Sequence, residues 1–284
     1  WFLEQVLGQP CSTGWVVKMQ DRAAAALEPV HRELTAALPA QPVLGIDETP
    51  SREARDRAWL WAFVAPRFTV YEIRPTRRAT ILADRLPAEF AGVVTCDRAK
   101  MYWRLPRLQW CWAHLKRDFQ ALIDHGDGRV RRLGHDLMRP TKELFRLRAR
   151  YRDGALSRPE WTRLMEPIRR GVESLLLRGV YSGHRRLMGM CSELYEHRDR
   201  LWAFVEVPAV GPTNNASERA LRPAVIWRKL SFGTQSPGGS RFVERILTVV
   251  ETCRQQSRDV LAFVSAAVQA HLAQLPAPSL LPGV

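Results

Sequence analysis

The chain has 284 residues, of which 46% are hydrophobic and 25% charged, and this globular composition excludes a disordered, collagen-like or fibrous polypeptide. Its charge is unusual, because 43 basic side chains oppose 29 acidic ones and give a formal net charge of +14. Only five of the basic residues are lysines, and an arginine excess favours phosphate recognition, although a GC-rich genome also raises arginine content.

The first 40 residues, 1–40, are predicted to be helical. A short helix is expected at 2–7, a break at 8–10, and Ser12-Thr13 supplies candidate caps for the next helix. Helix, break and helix could form a DNA-reading helix-turn-helix, but two helices packed on a core are commoner and are favoured. Because the chain begins at Trp1 rather than Met, we expect a truncated upstream region.

Residues 41–114 show a strand pattern and are predicted to be the first part of an α/β core. Short runs rich in aromatic and β-branched residues predict a three-stranded meander, a crossover helix at 77–86 and a fourth strand. A fifth run could be a strand that leads into the next helix. The five runs lie at 43–46, 59–64, 68–73, 93–96 and 108–112.

Residues 115–207 are predicted to be a helical insertion, because apolar residues recur every three or four positions, as at Leu133 and Leu137. The remaining residues, 208–284, are predicted to complete the core and to end in helices. We expect a helix from Asn214 or Asn215, a Gly-rich loop, two long helices and a loose Pro-rich tail. The last four segments are placed at 233–239, 242–256, 260–275 and 276–282.

The basic excess is concentrated in the middle of the chain. Residues 98–200 hold 24 basic and 12 acidic residues, a net of +12, whereas 1–97 carries a net of −1 and 201–284 a net of +3. This distribution is expected if one subregion faces a polyanion. The alternative is a set of helices with solvated arginine faces.

Three acids are candidates for catalysis. Asp47 is expected at the end of the first strand and Asp97 at the end of the fourth, where open α/β sheets place their ligands. Glu218 opens a later helix. Three converging carboxylates need a cation, and hard oxygen ligands suit magnesium or manganese. A pair of such ions about 4 Å apart can hold both the attacking and the leaving oxygen of a phosphoryl transfer.

Each acid also has a purely structural interpretation. Asp47 could be a turn residue before Pro50, and Asp97 could cap the following helix. With Asn215 as the N-cap, Glu218 would complete a capping box. The two interpretations of Glu218 are compatible, because the positive helix end keeps its carboxylate ionised.

Two further motifs carry polar chemistry. Cys111 and His114 have the spacing of half a zinc site, but the sequence contains no second half, so a structural zinc is not expected. His114 could instead contact phosphate or the catalytic metal. In 212–229, amides and arginines surround an acid, as a phosphate backbone near a metal requires, with a solvated helix face as the alternative.

Several of these segments resemble the transposases of the insertion sequence 66 family, and the resemblance runs through nearly the whole chain. They are Ile-Asp-Glu-Thr at 46–49, Cys-Asp-Arg at 96–98, the run at 111–119, the run Pro-Thr-Asn-Asn-Ala-Ser-Glu-Arg at 212–219 with its continuation to 223, and the stretches 227–236 and 278–282.

The resemblance implies a ribonuclease-H-like mixed-sheet core with a DDE triad, interrupted by a large helical insertion before the glutamate. Carried over, the triad is Asp47, Asp97 and Glu218, which would hold two divalent ions, magnesium or manganese. The predicted order of strands, insertion and helix agrees with that core. The residues expected to contact DNA are His114, Arg117, Asn214, Asn215, Arg219, Arg222, Arg228 and Lys229.

The expected function is therefore metal-dependent DNA cleavage at the element's ends and strand transfer into target DNA. The expected partners are DNA, further copies of the chain in a dimeric or larger synaptic complex, and accessory transposition proteins, in the bacterial cytoplasm at the nucleoid and away from membranes. The alternatives are a nuclease without strand transfer, an inactive transposon-derived DNA-binding protein and a metal-independent glycosidase. The family's usual N-terminal region, thought to bind element ends, is missing, which leaves end recognition open.

Overall fold

The computed structural model describes Gln5 and residues 8–281, so the short helix expected at 2–7 lies, apart from Gln5, outside the described residues. The described elements in chain order are α1 (Thr13–Ala36), β1 (Val43–Glu53), β2 (Asp56–Val64), β3 (Thr69–Arg74), α2 (Thr80–Ala83), β4 (Val93–Cys96), β5 (Leu108–Trp110), α3 (Trp112–Ile123), α4 (Gly128–Arg152), α5 (Arg158–Val180), α6 (Arg185–Glu196), α7 (Ala203–Glu206), α8 (Asn215–Ser231), α9 (Pro237–Gln255) and α10 (Val260–Leu272).

The chain forms two compact units. The first joins the residues up to Gly92 with those from Asn215 onward, and the second is Val93–Asn214. Antiparallel and parallel strand pairs occur together with a majority of helix, so the predicted mixed α/β class is confirmed. The boundaries at 40, 114 and 207 stay predictions.

Strand β1 is longer than its apolar run. It pairs antiparallel with β2 from Gly45↔Val64 out to Glu53↔Asp56, so the prediction that it ends near Ile46 is wrong. The polar outer half has no apolar alternation and is held by the ladder and by contacts with residues far along the chain, such as Arg228 and Thr234. Asp47 consequently lies inside β1, opposite Ala62, and is neither a strand end nor a turn residue.

Helix ends follow local capping. Ser12 caps α1 as expected, since its Oγ accepts a hydrogen bond from the backbone N–H of Trp15 at 3.1 Å. Helix α9 starts five residues before its predicted start, because Ser236 caps it and Pro237 occupies the first turn, so part of the expected Gly-rich loop is helical. Helix α2 is shorter than the predicted 77–86.

The first unit packs α8 against one face of the meander. Helix α8 contacts β1 and β2, and the buried side chains of this core are four alanines, five branched aliphatic residues and one tyrosine. They are Ala58, Leu60, Ala62, Tyr71, Ile73, Ala220, Leu221, Ala224, Val243 and Leu247. Alanines on both layers let the helix backbone approach the sheet closely.

Helix α9 covers the outer edge of β3. Alternate backbone N–H groups of the strand donate to side chains four residues apart on the helix: Thr69 to Thr252 Oγ1 at 3.1 Å, Tyr71 to Thr248 Oγ1 at 2.9 Å, and Ile73 to Glu244 Oε1. Two strand residues span about 6.6 Å and four helix residues rise about 6 Å, so the two repeats match. The unpaired edge is thereby satisfied by side chains.

The second unit begins with the parallel strands β4 and β5, in the register Val94↔Leu108 to Cys96↔Trp110. Helices α3, α4, α5 and α6 then pack on one another in sequence order. Between Trp112 and Glu206 the described regular elements are all helical, as the sequence predicts for the insertion.

A buried glutamine ties the end of these helices back to β5. Gln109 Nε2 donates to the carbonyls of Trp110 and Leu201, at 2.8 and 3.2 Å, and its Oε1 accepts from the N–H of Phe204 at 2.9 Å. Trp112 Nε1 also donates to Leu201 O at 2.8 Å. The helical segment therefore returns to the strands from which it leaves. Among the described residues, no helix has the length and apolar content needed to cross a bilayer.

Replacing Thr248 by Val tests the edge cover. The change keeps the shape of the side chain but leaves the buried N–H of Tyr71 without its acceptor, so we expect the free energy of unfolding to fall by about 1–3 kcal/mol. Urea titration measures this. Thr248→Ser should retain most of the stability, and Thr162→Val, which removes an exposed hydroxyl bonded to Arg158 O, should cost less. Equal effects of the two Val variants would contradict the interpretation.

Burial raises the pKa of Glu244 to about 7, against the opposing effect of Arg241 at 3.1 Å. Between about pH 4.5 and 7 the folded protein therefore binds a proton that the unfolded chain releases, and stability falls as pH rises through this window. Glu244→Gln cannot ionise, so its stability relative to wild type should improve by about 3 kcal/mol across the window. Denaturant titrations at pH 4.5 and 8 check this, with the exposed Glu89→Gln as the control that should show no such change.

Candidate functional site

Asp47 projects from the face of the meander that α8 covers. Residues directly opposite in a ladder share a face, and Asp47 pairs with Ala62, which pairs with Tyr71. Ala62 and Tyr71 belong to the core beneath α8. Asp47 is partly buried, and its Oδ1 accepts a hydrogen bond from the N–H of Glu48 at 3.0 Å, which orients the carboxylate.

Glu218 lies in the first turn of α8, and Tyr71 anchors this turn. The Tyr71 hydroxyl donates to the carbonyl of Ala220 at 2.5 Å, and burial raises the pKa of Tyr71, so the phenol remains a donor. Tyr71 stands in the same cross-strand row as Asp47. Within the first unit, the structure therefore places two of the three expected acids on one face of the sheet, one in β1 and one in the helix above it.

The basic residues of α8 form two groups. Arg219 and Arg222 are exposed near the helix start and border a groove that Ile226 and Trp227 also line. Arg228 and Lys229 occupy the last turn. Arg228 Nη1 donates to Thr49 Oγ1 at 3.0 Å and to Pro50 O, so this guanidinium is held against β1, on the side of the strand that carries Asp47. Asn215 is the exposed first residue of α8.

In the second unit, Asp97 and Cys111 follow neighbouring strands. β4 and β5 are parallel and Cys96 pairs with Trp110, so the next residues, Asp97 and Cys111, emerge side by side, and the N–H of Cys111 donates to Cys96 O at 3.0 Å. Asp97 Oδ1 accepts from the N–H of Ala99 at 2.8 Å. That bond fixes the carboxylate at the carboxyl end of the parallel pair.

Residues 212–214, which precede α8, are hydrogen-bonded to the residues that follow β5. Trp112 N–H donates to Pro212 O at 2.8 Å, and the N–H of the buried Asn214 donates to Cys111 Sγ at 3.2 Å. The buried thiol of Cys111 thus accepts a backbone hydrogen bond and helps to hold Asn214 in place. His114, partly buried, and Arg117, exposed, lie in the first and second turns of α3.

Arg98 is a supporting residue that sequence reasoning did not single out. Its guanidinium contacts Asp118 on α3 at 2.6 Å and Glu193 on α6 at 3.2 Å. These contacts clamp the loop that carries Asp97. The sequence signal was its place in the Cys-Asp-Arg motif at 96–98, which gave it no role, because its partners are 20 and 95 residues away.

The arginines of the second unit are only partly neutralised by its own acids. Arg169 contacts Glu173 at 3.2 Å, Asp199 at 3.5 Å and Glu206 at 3.6 Å. With 24 basic and 14 acidic residues in Val93–Asn214, complete one-to-one pairing would still leave ten basic side chains uncompensated. Arg131 and Arg132 are exposed on α4.

Comparison with known proteins identifies the family. The family described as "Transposase IS66 family" matches residues 2–241 of the chain. The chain is also similar to "Uncharacterized protein y4qI" of Sinorhizobium fredii (strain NBRC 101917 / NGR234), at 28% identity over 244 residues. This match covers 76% of the chain and 44% of the relative, so the chain spans less than half the length of that protein.

Proposed function

Because the chain belongs to the transposase IS66 family, we propose that it is a DNA transposase that cleaves DNA at the ends of a mobile element and joins those ends to target DNA. The family match over residues 2–241 carries this proposal. The positions of Asp47 and Glu218 on one face of the first unit support it, as does the position of Asp97 at a strand end of the second.

Asp47, Asp97 and Glu218 are the proposed catalytic acids and metal ligands. Their donors are carboxylate oxygens, which fit hard divalent ions such as magnesium or manganese better than zinc. Backbone N–H groups orient the carboxylates of Asp47 and Asp97, at 3.0 and 2.8 Å. Glu218 lies in the first turn of α8. Two ions held by these residues would supply a nucleophile at neutral pH and stabilise charge on the phosphate.

The remaining residues position DNA. Arg219, Arg222, Arg228 and Lys229 on α8 are proposed to contact phosphates beside Glu218, together with Asn214, Asn215, His114 and Arg117. Water attacks the phosphodiester at the element end and releases a 3′-hydroxyl; that hydroxyl then attacks a target phosphodiester, and the target's own 3′-oxygen leaves. No covalent bond to the protein is required.

DNA is proposed to extend along the basic helices of the second unit, which holds ten more basic than acidic residues. We also propose that copies of the chain pair the two element ends, in a dimer or larger complex, and that accessory proteins take part.

Asp97→Asn and Glu218→Gln should each lower metal-dependent strand transfer by at least about a hundredfold, because they remove direct metal ligands and even supporting shells cost 10–100-fold. The assay is joining of DNA that carries the element's terminal sequences to a target plasmid, with and without EDTA. Asp56→Asn, an exposed acid at the β1–β2 hairpin, should retain activity. Wild-type rates in either triad variant would refute the assignment, and cleaved but unjoined ends would indicate a nuclease.

Reversing Arg131 and Arg132 to Glu should weaken DNA binding and lower the slope of log affinity against log salt by about 2, at roughly 0.9 per phosphate contact. Fluorescence anisotropy from 50 to 300 mM salt gives the slope. Arg67→Glu with Arg258→Glu makes the same change in net charge on the first unit and should alter the slope less. Equal slopes for wild type and the Arg131→Glu, Arg132→Glu variant would show that these arginines form a solvated helix face and do not contact DNA.

A further inference from the structure

A groove of the first unit lies where the end of α8 meets the outer half of β1. It is lined by Pro50, Ser51, Arg52, Arg228, Lys229 and Phe232 and has a volume of about 670 Å³. This volume falls in the usual range of ligand sites, about 300–1,000 Å³. Three of its described lining residues are basic and none is acidic, so its charge complements a phosphate chain.

The backbone at Phe232 is strained. Its φ is +58°, a left-handed conformation that a bulky aromatic residue rarely adopts and that costs about 1–2 kcal/mol. Gly233 follows with φ of +102°, and a Cβ there would lie 2.6 Å from Arg52 O. A glycine or asparagine at 232 would make the same turn without this strain.

The turn is held in place by β1. Thr234 N–H donates to Arg52 O at 3.0 Å, and Ala54 N–H donates to Thr234 O at 2.7 Å, which adds a parallel bridge beside Glu53. The Thr234 hydroxyl also meets Ser240 Oγ at 2.7 Å. The backbone that follows Phe232 is therefore fixed against β1.

The ring of Phe232 is nevertheless 80% exposed. An exposed ring contributes little buried apolar area, so it does not offset the cost of the strained backbone at this residue. Strained backbone positions of this kind concentrate at ligand sites. Arg228 stands beside the ring already ordered by Thr49 and Pro50, and Lys229 and Arg52 complete a basic rim.

We propose that this groove binds an unpaired nucleotide of the DNA substrate, with its base stacked on Phe232. Arg52, Arg228 and Lys229 hold the phosphates on either side of that nucleotide. Aromatic stacking between basic side chains is how proteins bind unpaired strands irrespective of sequence. The inference rests on the proposed transposase function and adds to it a requirement for locally opened DNA.

The test compares a fluorescein-labelled single-stranded oligonucleotide with the blunt duplex of the same sequence, using the full chain in EDTA so that no chemistry occurs. Phe232→Ala should weaken binding of the single strand about five- to a hundredfold and of the duplex by less than about twofold. Phe232→Tyr should bind like wild type. Leu261→Ala, which removes a 76% exposed apolar side chain on α10, should change neither affinity.

A second variant separates binding from folding. Asparagine tolerates a left-handed φ, so Phe232→Asn should keep or raise the unfolding midpoint while it loses single-strand affinity as the Ala variant does. A clear fall in its midpoint would make Phe232 a folding residue and overturn the inference.

The outcomes also separate the two proposals. If wild type binds both DNAs and Phe232→Ala does so equally well, the stacking inference fails and the transposase proposal stands. If wild type binds neither DNA, both fail. If Phe232→Ala turns a dimer into a monomer in sedimentation with DNA affinity unchanged, the groove is an interface between copies and the inference is overturned.

Discussion

The edge of β3 is where the two distant parts of the first unit are joined. Its outward N–H groups, at Thr69, Tyr71 and Ile73, are met by side chains of α9 that lie 171–183 residues later in the chain. Because two residues of the strand and four residues of the helix advance by nearly the same distance, three successive N–H groups of β3 each find an acceptor on α9. Without an acceptor each of these buried donors would cost about 1–3 kcal/mol, so α9 cannot leave the sheet without exposing or orphaning them.

That attachment also determines where α8 can lie. Helix α8 precedes α9 by five residues, and both contribute to the core on the face of the meander that carries Ala62 and Tyr71. Tyr71 takes part in both contacts, because its N–H bonds to α9 and its hydroxyl to α8. The cross-strand row through Asp47 is therefore covered by the helix whose first turn bears Glu218, and the last turn of the same helix is clamped to β1 through Arg228.

In the second unit, the buried side-chain amide of Gln109 joins two parts of the chain that are far apart in sequence. Gln109 bonds Trp110, Leu201 and Phe204, so the helical segment must end where it began, at the strand ends that carry Asp97 and Cys111. The entry and the exit of the basic helical segment therefore lie close together.

The sequence by itself determined the class of fold, the helical nature of 115–207, the +12 charge of 98–200 and, through short motifs, the three candidate acids, because these depend on local periodicity and on residue identity. It placed Asp47 wrongly at a strand end, since the polar half of β1 is stabilised by its partner strand rather than by its own pattern. Only the tertiary structure revealed the edge cover by α9, the clamp at Arg98 and the strained turn at Phe232. Each of these is decided by partners far apart in the chain, whose pairing leaves no periodic signal in either segment.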